Sequence, residues 1–399
     1  MAEKSFDIIV WGATGFTGRL VAQHLLRTYG AEGNLKWAMA ARNPDKLAMV
    51  AKEIGAEDVP HLLANADDRE SLDRLAAAAK VIITTVGPYQ LYGEKLVAAC
   101  AEAGTDYVDL CGEPGWMAGT IARYHDIAQR TGARIVHSCG FDSIPFDLGV
   151  HYVQKLYREA YGRPAPLVKG VLKGAKGGLS GGTYASLMET VKAAETDQEV
   201  RRALGNVYGL AQDSEAKRPR QPDVRKPRKD EDVGAWLAPF IMADINMPNV
   251  HRSNMLTDYA YGQDFRYLEM MRVPNRVVAW GLAVGLGSFM SLVKNKSTRG
   301  LVQRLLPDPG EGPSEKERES GFFKVLMIAK DEKGLSLRAE ITGDKDPGYG
   351  GTSRMLSEAA MTLLHHPEGQ TGCLTTAPAM GDALIDRLEA HAGLTFRKL

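Results

Sequence analysis

Three glycines near the start of the chain follow the pattern G-x-x-G-x-x-G. This spacing departs from the commoner G-x-G-x-x-G, but the chemistry that it permits is the same. The first glycine allows a tight turn, the second lets the backbone approach a pyrophosphate, and the third lets a helix pack closely against a sheet. The glycines and their neighbours give these candidate dinucleotide-binding residues: Gly12, Thr14, Gly15, Phe16, Thr17 and Gly18.

The segments on either side of the glycine run supply the context that a phosphate site needs. Residues 6–11 (FDIIVW) are mostly apolar and partly β-branched, which predicts a buried parallel strand. Leu20, Val21 and Leu25 then recur at helical spacing. The free N–H groups and the positive dipole end of that helix would face the phosphates. A strand, a glycine turn and a helix in this order favour a dinucleotide site over a glycine-rich turn without a ligand.

Arg42 indicates which dinucleotide the chain binds. It follows a second predicted strand, residues 35–41, at the position where NAD-binding folds place an acidic residue against the ribose 2′-hydroxyl. A guanidinium matches a 2′-phosphate in charge and in geometry. The sequence therefore predicts NADP(H) as the cofactor. The alternative is that Arg42 is an ordinary surface arginine at a strand end.

Three further residues belong to the predicted cofactor site because they follow strands. Asp67 comes after a weak strand, where it would either contact an adenine amino group or cap the helix that starts near Glu70. Residues 81–86 form a clear apolar strand, and Gly87 and Pro88 come directly after it. The carboxyl edge of a parallel sheet lies beside the cofactor, so we expect all three residues there.

Composition and charge exclude several classes of protein. The chain has 399 residues with 49 basic and 49 acidic side chains, so it has no formal net charge and nucleic acid is not expected as its main partner. Its length fits two or three domains. The four cysteines show neither C-x-x-C nor zinc-ligand spacing, so no metal site is predicted. The N-terminus has no long apolar segment, and a cytoplasmic protein with reduced thiols is expected.

Predicted strands and helices alternate through the first part of the chain. This alternation predicts an α/β fold with a Rossmann-type, doubly wound parallel sheet, and we assign residues 1–145 to that domain. Residues 322–330 and 335–342 differ, because they form two strands joined by a short turn, and the second strand alternates apolar and polar side chains. This pattern is typical of an antiparallel sheet with one face in water.

Three later segments are unusual in composition. Residues 215–232 and 307–320 are charged and contain prolines, which predicts mobile surface loops; the first is alternatively a basic patch for an acidic carrier protein or anionic lipid. Residues 277–293 contain no charge. Three interpretations compete for them: a buried core helix, which is the commonest of the three, an apolar wall for a lipidic substrate, or a contact with a membrane surface.

Several motifs resemble those of the saccharopine dehydrogenase-like oxidoreductases. They are WGATGFTGR at 11–19, TVGPY at 85–89, YVDLCGE at 107–113 and CGFDSIPFD at 139–147. Further motifs are similar to the bacterial trans-acting enoyl reductase branch of that family. They are GDKDPGY at 343–349, TSRM at 352–355 and TAPAMG at 376–381.

The resemblance implies a second, mixed α/β (α+β) substrate domain, at residues 146–348, and a C-terminal helical segment, 349–399, that packs back on the Rossmann domain. It also implies an NADPH-dependent enoyl reductase acting on a lipid or polyketide acyl substrate held by a carrier protein or synthase. We further expect a homo-oligomer, either cytoplasmic or in peripheral contact with a membrane through 277–293. One alternative is a saccharopine-type amino-acid dehydrogenase, for which Arg252 and Arg266 would bind substrate carboxylates. The other is a non-catalytic lipid-surface or scaffold protein that retains the fold.

Reduction of an enoyl group requires a proton for the α-carbon in addition to a hydride. Tyr89 and Tyr92 follow Pro88, and Tyr89 is the catalytic candidate because of this position. Asp142 and Ser143 come next. The alternative for Tyr89 is a half-buried packing role.

Overall fold

The computed structural model of this protein describes residues 4–31, 33–141, 143–177, 181–303 and 312–399. Within these residues the chain forms two sheets of seven strands each. In chain order the strands are β1 (Phe6–Trp11), β2 (Trp37–Ala41), β3 (His61–Leu63), β4 (Ala79–Thr84), β5 (Asp106–Val108), β6 (Arg134–Val136), β7 (Leu167–Lys176), β8 (Arg228–Asp230), β9 (Ala235–Pro239), β10 (Arg266–Val273), β11 (Phe322–Lys330), β12 (Ser336–Gly343), β13 (Gly372–Leu374) and β14 (Leu394–Lys398).

The helices of the described residues pack against both sheets. In chain order they are α1 (Phe16–Tyr29), α2 (Pro44–Ile54), α3 (Arg69–Ala78), α4 (Tyr89–Tyr92), α5 (Glu94–Ala103), α6 (Pro114–Thr131), α7 (Ile144–Tyr161), α8 (Gly181–Thr196), α9 (Gln198–Ala203), α10 (Ala243–Leu256), α11 (Arg276–Lys294), α12 (Lys296–Gln303), α13 (Glu315–Glu319), α14 (Gly350–His365) and α15 (Thr376–His391).

The first sheet is parallel, with the strand order β13-β6-β5-β4-β1-β2-β3. Val10 of β1 lies opposite Met39 of β2 on one side and Ile83 of β4 on the other, and all three are buried. The strand order reverses between β1 and β4, so the crevice for a ligand is at this point of the sheet. The predicted doubly wound fold is confirmed.

The second sheet is mixed, with the order β14-β12-β11-β7-β10-β9-β8. β7 and β10 run parallel, and the other pairs are antiparallel. The predicted strand pair is confirmed, because β11 and β12 form a hairpin in which Val325 lies opposite Ile341. One apolar core joins the two sheets and includes Val10, Phe146 of α7 and Met327 of β11. The second sheet is thus held against the first by apolar packing.

The C-terminal part of the chain returns to the first sheet. β13 pairs in parallel with β6, where Cys373 lies opposite Ile135, and α14 packs on α1. β14 instead joins the second sheet beside β12. The division of the chain at residues 145 and 348 stays a prediction.

The apolar segment 277–293 forms most of α11. Of its three interpretations, the buried core helix is wrong, and the apolar wall for a substrate and the membrane contact stay predictions. Among its side chains only Ala279 and Val293 are buried. The helix packs on β9, α12 and α8 and also contacts β10 and β8, and these contacts leave most of its side chains exposed. Among the described residues, α11 is the one helix that is long and apolar enough to cross a membrane.

The two charged segments have contacts of their own. In 215–232, the Gln221 amide donates to the carbonyl oxygen of Phe265 at 3.1 Å and accepts from the N–H of Tyr267 at 2.9 Å. In 307–320, residues 307–311 lie outside the described residues, and Ser314 begins α13 with a reciprocal capping box. The mobility of both segments stays a prediction.

Candidate active site

β1 runs directly into the glycine run, and α1 begins at Phe16. Gly12 has a φ of +90°, a conformation that favours glycine. The N–H of Gly15 donates to the carbonyl oxygen of Gly12 at 2.9 Å. A Cβ on Gly18 would lie 2.1 Å from that same oxygen. The turn is therefore so tight that a side chain at position 18 cannot be accommodated.

The N-terminus of α1 is open to an anion. The N-cap residue, Gly15, has no side chain that could accept from the first N–H groups, and the first turn contains no acidic residue. The first N–H groups of a helix have no partner within it, and the helix dipole favours negative charge there. The first turn, with Phe16, Thr17 and Gly18, therefore fits the pyrophosphate of a dinucleotide.

Thr14 lies at a groove between the glycine run and α2. The groove has a volume of about 580 Å³, and Lys46, Met49 and Glu53 also line it. Lys46 stands in the first turn of α2, where its N–H donates to the Asn43 side chain at 2.9 Å. This groove therefore adjoins the glycine run on the side of α2.

Phe16 connects the glycine run to the C-terminal part of the chain. Its ring packs edge-on against Tyr349, with 4.6 Å between the ring centroids. The guanidinium carbons of Arg19 and Arg318 lie 5.5 and 5.4 Å from the centroid of the Phe16 ring. Two cations therefore stand near the phosphate site. Sequence reasoning missed Tyr349 and Arg318, because they lie far along the chain and no local pattern links them to the glycine run.

Arg42 directly follows β2, and its side chain is exposed. Within the described part of the chain this guanidinium forms no hydrogen bond or ion pair, so it is available to a 2′-phosphate. Asp67 is also exposed. The helix cap is provided by Asp68, which accepts from the N–H groups of Glu70 and Ser71 at 3.1 and 3.4 Å. The alternative of Asp67 as a cap is therefore wrong, and its contact with adenine stays a prediction.

The end of β4 meets the glycine run. The Thr85 hydroxyl donates to the carbonyl oxygen of Gly12 at 3.3 Å, and a Cβ on Gly12 would lie 2.7 Å from a methyl carbon of Val86. Gly87 and Pro88 follow this contact, Gly87 exposed and Pro88 half-buried. Their place beside the crevice between β1 and β4 fits the predicted contact with the cofactor.

Tyr89 is buried, and its hydroxyl forms hydrogen bonds with two backbone groups. The hydroxyl donates to the carbonyl oxygen of Thr84 at 3.3 Å and accepts from the N–H of Leu110 at 3.1 Å. Burial raises the pKa of Tyr89 well above its usual value. These contacts favour a bracing role, and catalysis by Tyr89 stays a prediction. Tyr92 is exposed, and Asp142 lies outside the described residues. Ser143 is buried, and its hydroxyl has no hydrogen-bond partner among the residues that the structure describes.

Glu113 fixes the turn that carries Pro88. Its buried carboxylate accepts from the N–H groups of Tyr89 and Gln90 at 3.0 and 2.9 Å, at the start of α4. Burial raises the pKa of Glu113, although these hydrogen bonds oppose the effect. Glu113 thus holds the start of α4, and with it the end of β4, in place.

Asp109 holds the ends of β5 and β6 side by side. This buried carboxylate accepts from the N–H groups of Cys111 and Ser138, each at 2.9 Å. It also accepts from the Tyr107 hydroxyl at 2.9 Å and lies 2.7 Å from Nδ1 of His137. All of these partners of Asp109 are buried. They fix the ends of β5 and β6, at the edge of the sheet where a substrate would lie.

α10 crosses this edge and connects it to the second sheet. Asn249 donates to the hydroxyl of Ser138 at 3.4 Å. One turn away, Asn246 donates to Oε1 of Glu269 at 2.6 Å, and the Tyr267 hydroxyl donates to Oε2 at 2.8 Å. Burial raises the pKa of Glu269 to about 8. Sequence reasoning missed Glu269. A carboxylate at an inward position of an apolar strand indicates a buried acidic group, and this pattern could have identified it.

The two arginines considered for a substrate carboxylate are engaged elsewhere. Arg252 is buried, and its guanidinium donates to the carbonyl oxygens of Leu210 and Cys373 at 2.6 and 2.5 Å. Arg266 lies at the start of β10 and contacts Glu332 at 3.3 Å. The described contacts therefore give no support to an amino-acid substrate.

Comparisons with known proteins agree with this geometry. Residues 8–136 match the saccharopine dehydrogenase NADP binding domain. The chain is 42% identical to Rv2449c of Mycobacterium tuberculosis, whose name proposes a trans-acting enoyl reductase, over 99% of this chain and 97% of that protein. It is 38% identical to the trans-acting enoyl reductase of Mycobacterium bovis BCG, over 97% of this chain and 96% of the relative.

A solved structure supports the same fold. Apo saccharopine dehydrogenase (L-Glu forming) from Saccharomyces cerevisiae aligns with a TM-score of 0.54 at 13% identity, over 99% of this chain and 100% of the yeast protein. The matched NADP binding domain and the open N-terminus of α1 agree on NADP(H) as the cofactor.

Proposed function

The chain belongs to the trans-acting enoyl reductase branch of the saccharopine dehydrogenase-like oxidoreductases, and on this premise we propose that it reduces a carbon–carbon double bond in an acyl intermediate with NADPH. The observation that carries the cofactor part of the proposal is the uncapped N-terminus of α1, with the guanidinium of Arg42, which has no partner within the described residues, at the end of the neighbouring strand. The enoyl substrate is supported by the relatives. The bound cofactor supplies the hydride.

The residues of the crevice have separate roles in this proposal. The first turn of α1 binds the pyrophosphate, and Arg42 binds the 2′-phosphate. Asp67 contacts the adenine, and Gly87 and Pro88 border the nicotinamide. Glu113 holds these last two residues in position through α4.

The proposed substrate is a lipid or polyketide acyl chain on a carrier protein or a separate synthase. The relatives' names, which contain "trans-acting", support a partner of this kind. The engagement of Arg252 by backbone carbonyl oxygens argues against a dicarboxylic amino acid. A homo-oligomer, a cytoplasmic location and a peripheral membrane contact through 277–293 belong to the same proposal.

Tyr89 and Tyr92 form a matched pair that tests which group supplies the proton. Both stand in α4 after Pro88, but Tyr89 is buried and Tyr92 is exposed. If Tyr89 donates the proton, Tyr89→Phe lowers kcat by roughly 100-fold or more and leaves the KM for NADPH unchanged. Equal, small effects of Tyr89→Phe and Tyr92→Phe would assign the proton to another group.

Steady-state oxidation of NADPH tests the reaction itself. The purified protein is given a trans-2-enoyl thioester, a saccharopine-type imine, or neither. We expect turnover with the enoyl thioester. Turnover with the imine alone would replace the proposal by an amino-acid dehydrogenase, and NADPH binding without turnover of any substrate would favour the scaffold alternative.

A further inference from the structure

α11 exposes more large apolar side chains than any other helix or strand within the described residues. These side chains are Val277, Val278, Trp280, Leu282, Val284 and Leu292. We call the side of α11 that carries them, with Gly281, Gly285 and Gly287 between them, its outer side. A Cβ on any of these three glycines would have no atom within 4 Å. An apolar surface of this kind marks an interaction site.

The exposure of α11 is not a sign of a frayed helix. Asn275 caps its N-terminus by accepting from the N–H of Val278 at 3.0 Å. At its C-terminus the buried Arg299 donates to the carbonyl oxygens of Val293 and Lys294. Both helix ends are therefore satisfied, and the helix holds its outer side in a fixed position.

Positive charge stands at both ends of the outer side. Arg276 precedes the apolar segment and Lys294 follows it, and both are exposed. Lys296 is 81% exposed, although it lies 3.4 Å from Glu195. The segment between Arg276 and Lys294 carries no charge at all.

The two positive ends of α11 indicate whether its outer side contacts a second copy of the protein or a lipid surface. If α11 packed in parallel against α11 of a second copy, Arg276 would meet Arg276 and Lys294 would meet Lys294. If it packed in antiparallel orientation, Arg276 of each copy would meet Lys294 of the other. Both arrangements bring like charges together, which is unfavourable in an interface. Anionic lipid headgroups complement both ends of the helix at once.

We propose that α11 lies in the plane of an anionic lipid surface, with its outer side inserted among the acyl chains and Arg276 and Lys294 at the headgroups. Trp280, which is partly exposed, is suited to the boundary between the two layers. The opposite side packs on β9 and α8. Because protein covers that side, the helix lies on the membrane and does not cross it.

The position of α8 gives this contact a consequence for the substrate, and this step rests on the proposed function. Met188 and Val191 of α8 pack with Val293 of α11. On the same helix, Thr190 accepts from the Gln90 amide at 2.9 Å, two residues after Pro88. α8 thus links the membrane-facing helix to the edge of the cofactor crevice. An acyl chain anchored at a lipid surface would reach the crevice beside α8.

Flotation with vesicles tests the proposal without any need for turnover. The full-length protein is mixed with phosphatidylcholine vesicles that contain either no anionic lipid or about one-third phosphatidylglycerol, and recovery in the floating fraction is measured. The test variant is Val277→Glu with Val284→Glu. The matched control, Leu335→Glu with Leu399→Glu, also replaces two exposed aliphatic side chains by glutamate, but at the opposite edge of the second sheet.

We expect the wild type and the control to float with the anionic vesicles, and less so with the neutral ones or at high salt. Val277→Glu with Val284→Glu should lower the membrane partition coefficient roughly 100-fold. NADPH titration shows whether each variant is folded. The proposal is wrong if the wild type stays with the soluble fraction, if both double variants float alike, or if light scattering finds a wild-type dimer that only the α11 variant dissociates.

Discussion

The glycine run after β1 and the glycines of α11 differ in what surrounds them. A Cβ on Gly12 would lie 2.7 Å from a methyl carbon, and one on Gly18 would lie 2.1 Å from a backbone oxygen. A Cβ on Gly281, Gly285 or Gly287 would meet nothing within 4 Å. The same residue type is thus required by contacts within the chain in the first region and by no contact within the described chain in the second. The fold explains the first set of glycines, whereas the second set leaves the backbone of α11 uncovered on its outer side.

Gly18→Ala is expected to have the largest effect. It tests the glycine run after β1, where neighbouring atoms leave no room for a side chain. The new Cβ would overlap the carbonyl oxygen of Gly12, so the glycine turn has to open. We expect a stability loss of about 1–3 kcal/mol or more and the loss of NADPH binding. Thermal unfolding and tryptophan fluorescence during NADPH titration measure the two effects.

Gly281→Ala is the control, because it makes the same change at a helical glycine outside the cofactor site, where the new Cβ would have no atom within 4 Å. If Gly18→Ala bound NADPH as the wild type does, the tight packing at this turn would not matter for the cofactor.

Glu269→Gln tests a buried carboxyl group that lies between the glycine run and α11. Glu269 is on β10, the strand that precedes α11. The pKa of Glu269 is about 8 in the folded protein, whereas its ordinary pKa of 4.5 applies in the unfolded chain. The wild type therefore loses stability as the pH rises from about 4.5 to 8, on the order of a few kcal/mol, and no further above that. Glutamine carries no charge: its oxygen can accept from Asn246, and its amide N–H can donate to the Tyr267 hydroxyl oxygen.

The expected result is a Tm difference between Glu269→Gln and the wild type that grows in favour of the variant from pH 5 to pH 8. Differential scanning calorimetry across this range measures it. Parallel Tm curves would mean that Glu269 ionises freely in the folded protein.

Arg42→Ala sharpens the comparison from the other side. Within the described residues the Arg42 guanidinium has no partner, and the outer side of α11 likewise has none. The two differ because the proposed ligand of Arg42 is a defined group, the 2′-phosphate of NADPH. Removing charge-assisted hydrogen bonds to the 2′-phosphate is expected to cost about 2 kcal/mol, a loss of roughly 30-fold in NADPH affinity. The affinity for NADH should stay the same, and calorimetric titration with both nucleotides measures this. Equal losses for both would assign Arg42 to the surface.

Gly285→Ala is expected to have the smallest effect, and its sign matters more than its size. With nothing near the new Cβ, alanine improves the helix by about 0.5–1 kcal/mol and raises the Tm by about 1–2 °C. A Tm that falls instead would show that the soluble protein already packs something against this side of α11. That result would weaken the membrane proposal.

The part of the first sheet from β1 to β6 could be predicted because its signals are local, whereas β13 lies in a segment that is predicted to be helical. Residues 6–18 contain a strand, a turn and a helix start in a single stretch, and Arg42 follows from its place after β2. The unprotected outer side of α11 could not be predicted, because composition does not show how much surface a neighbouring strand offers. The raised pKa of Glu269 and the contact of Phe16 with Tyr349 depend on residues brought together only by folding. Patterns along the chain therefore predict the elements, while contacts between distant elements decide their environment.

The pairing of β13 with β6 has a consequence for the order in which the protein folds. A ribosome completes β1 to β6 long before it makes Gly372–Leu374, so a nascent chain carries β6 as an open edge for much of its synthesis. Such an edge is a template for pairing with other chains. The first sheet closes only when nearly the whole chain has been made, and a fragment that ends soon after β6 would be prone to aggregate.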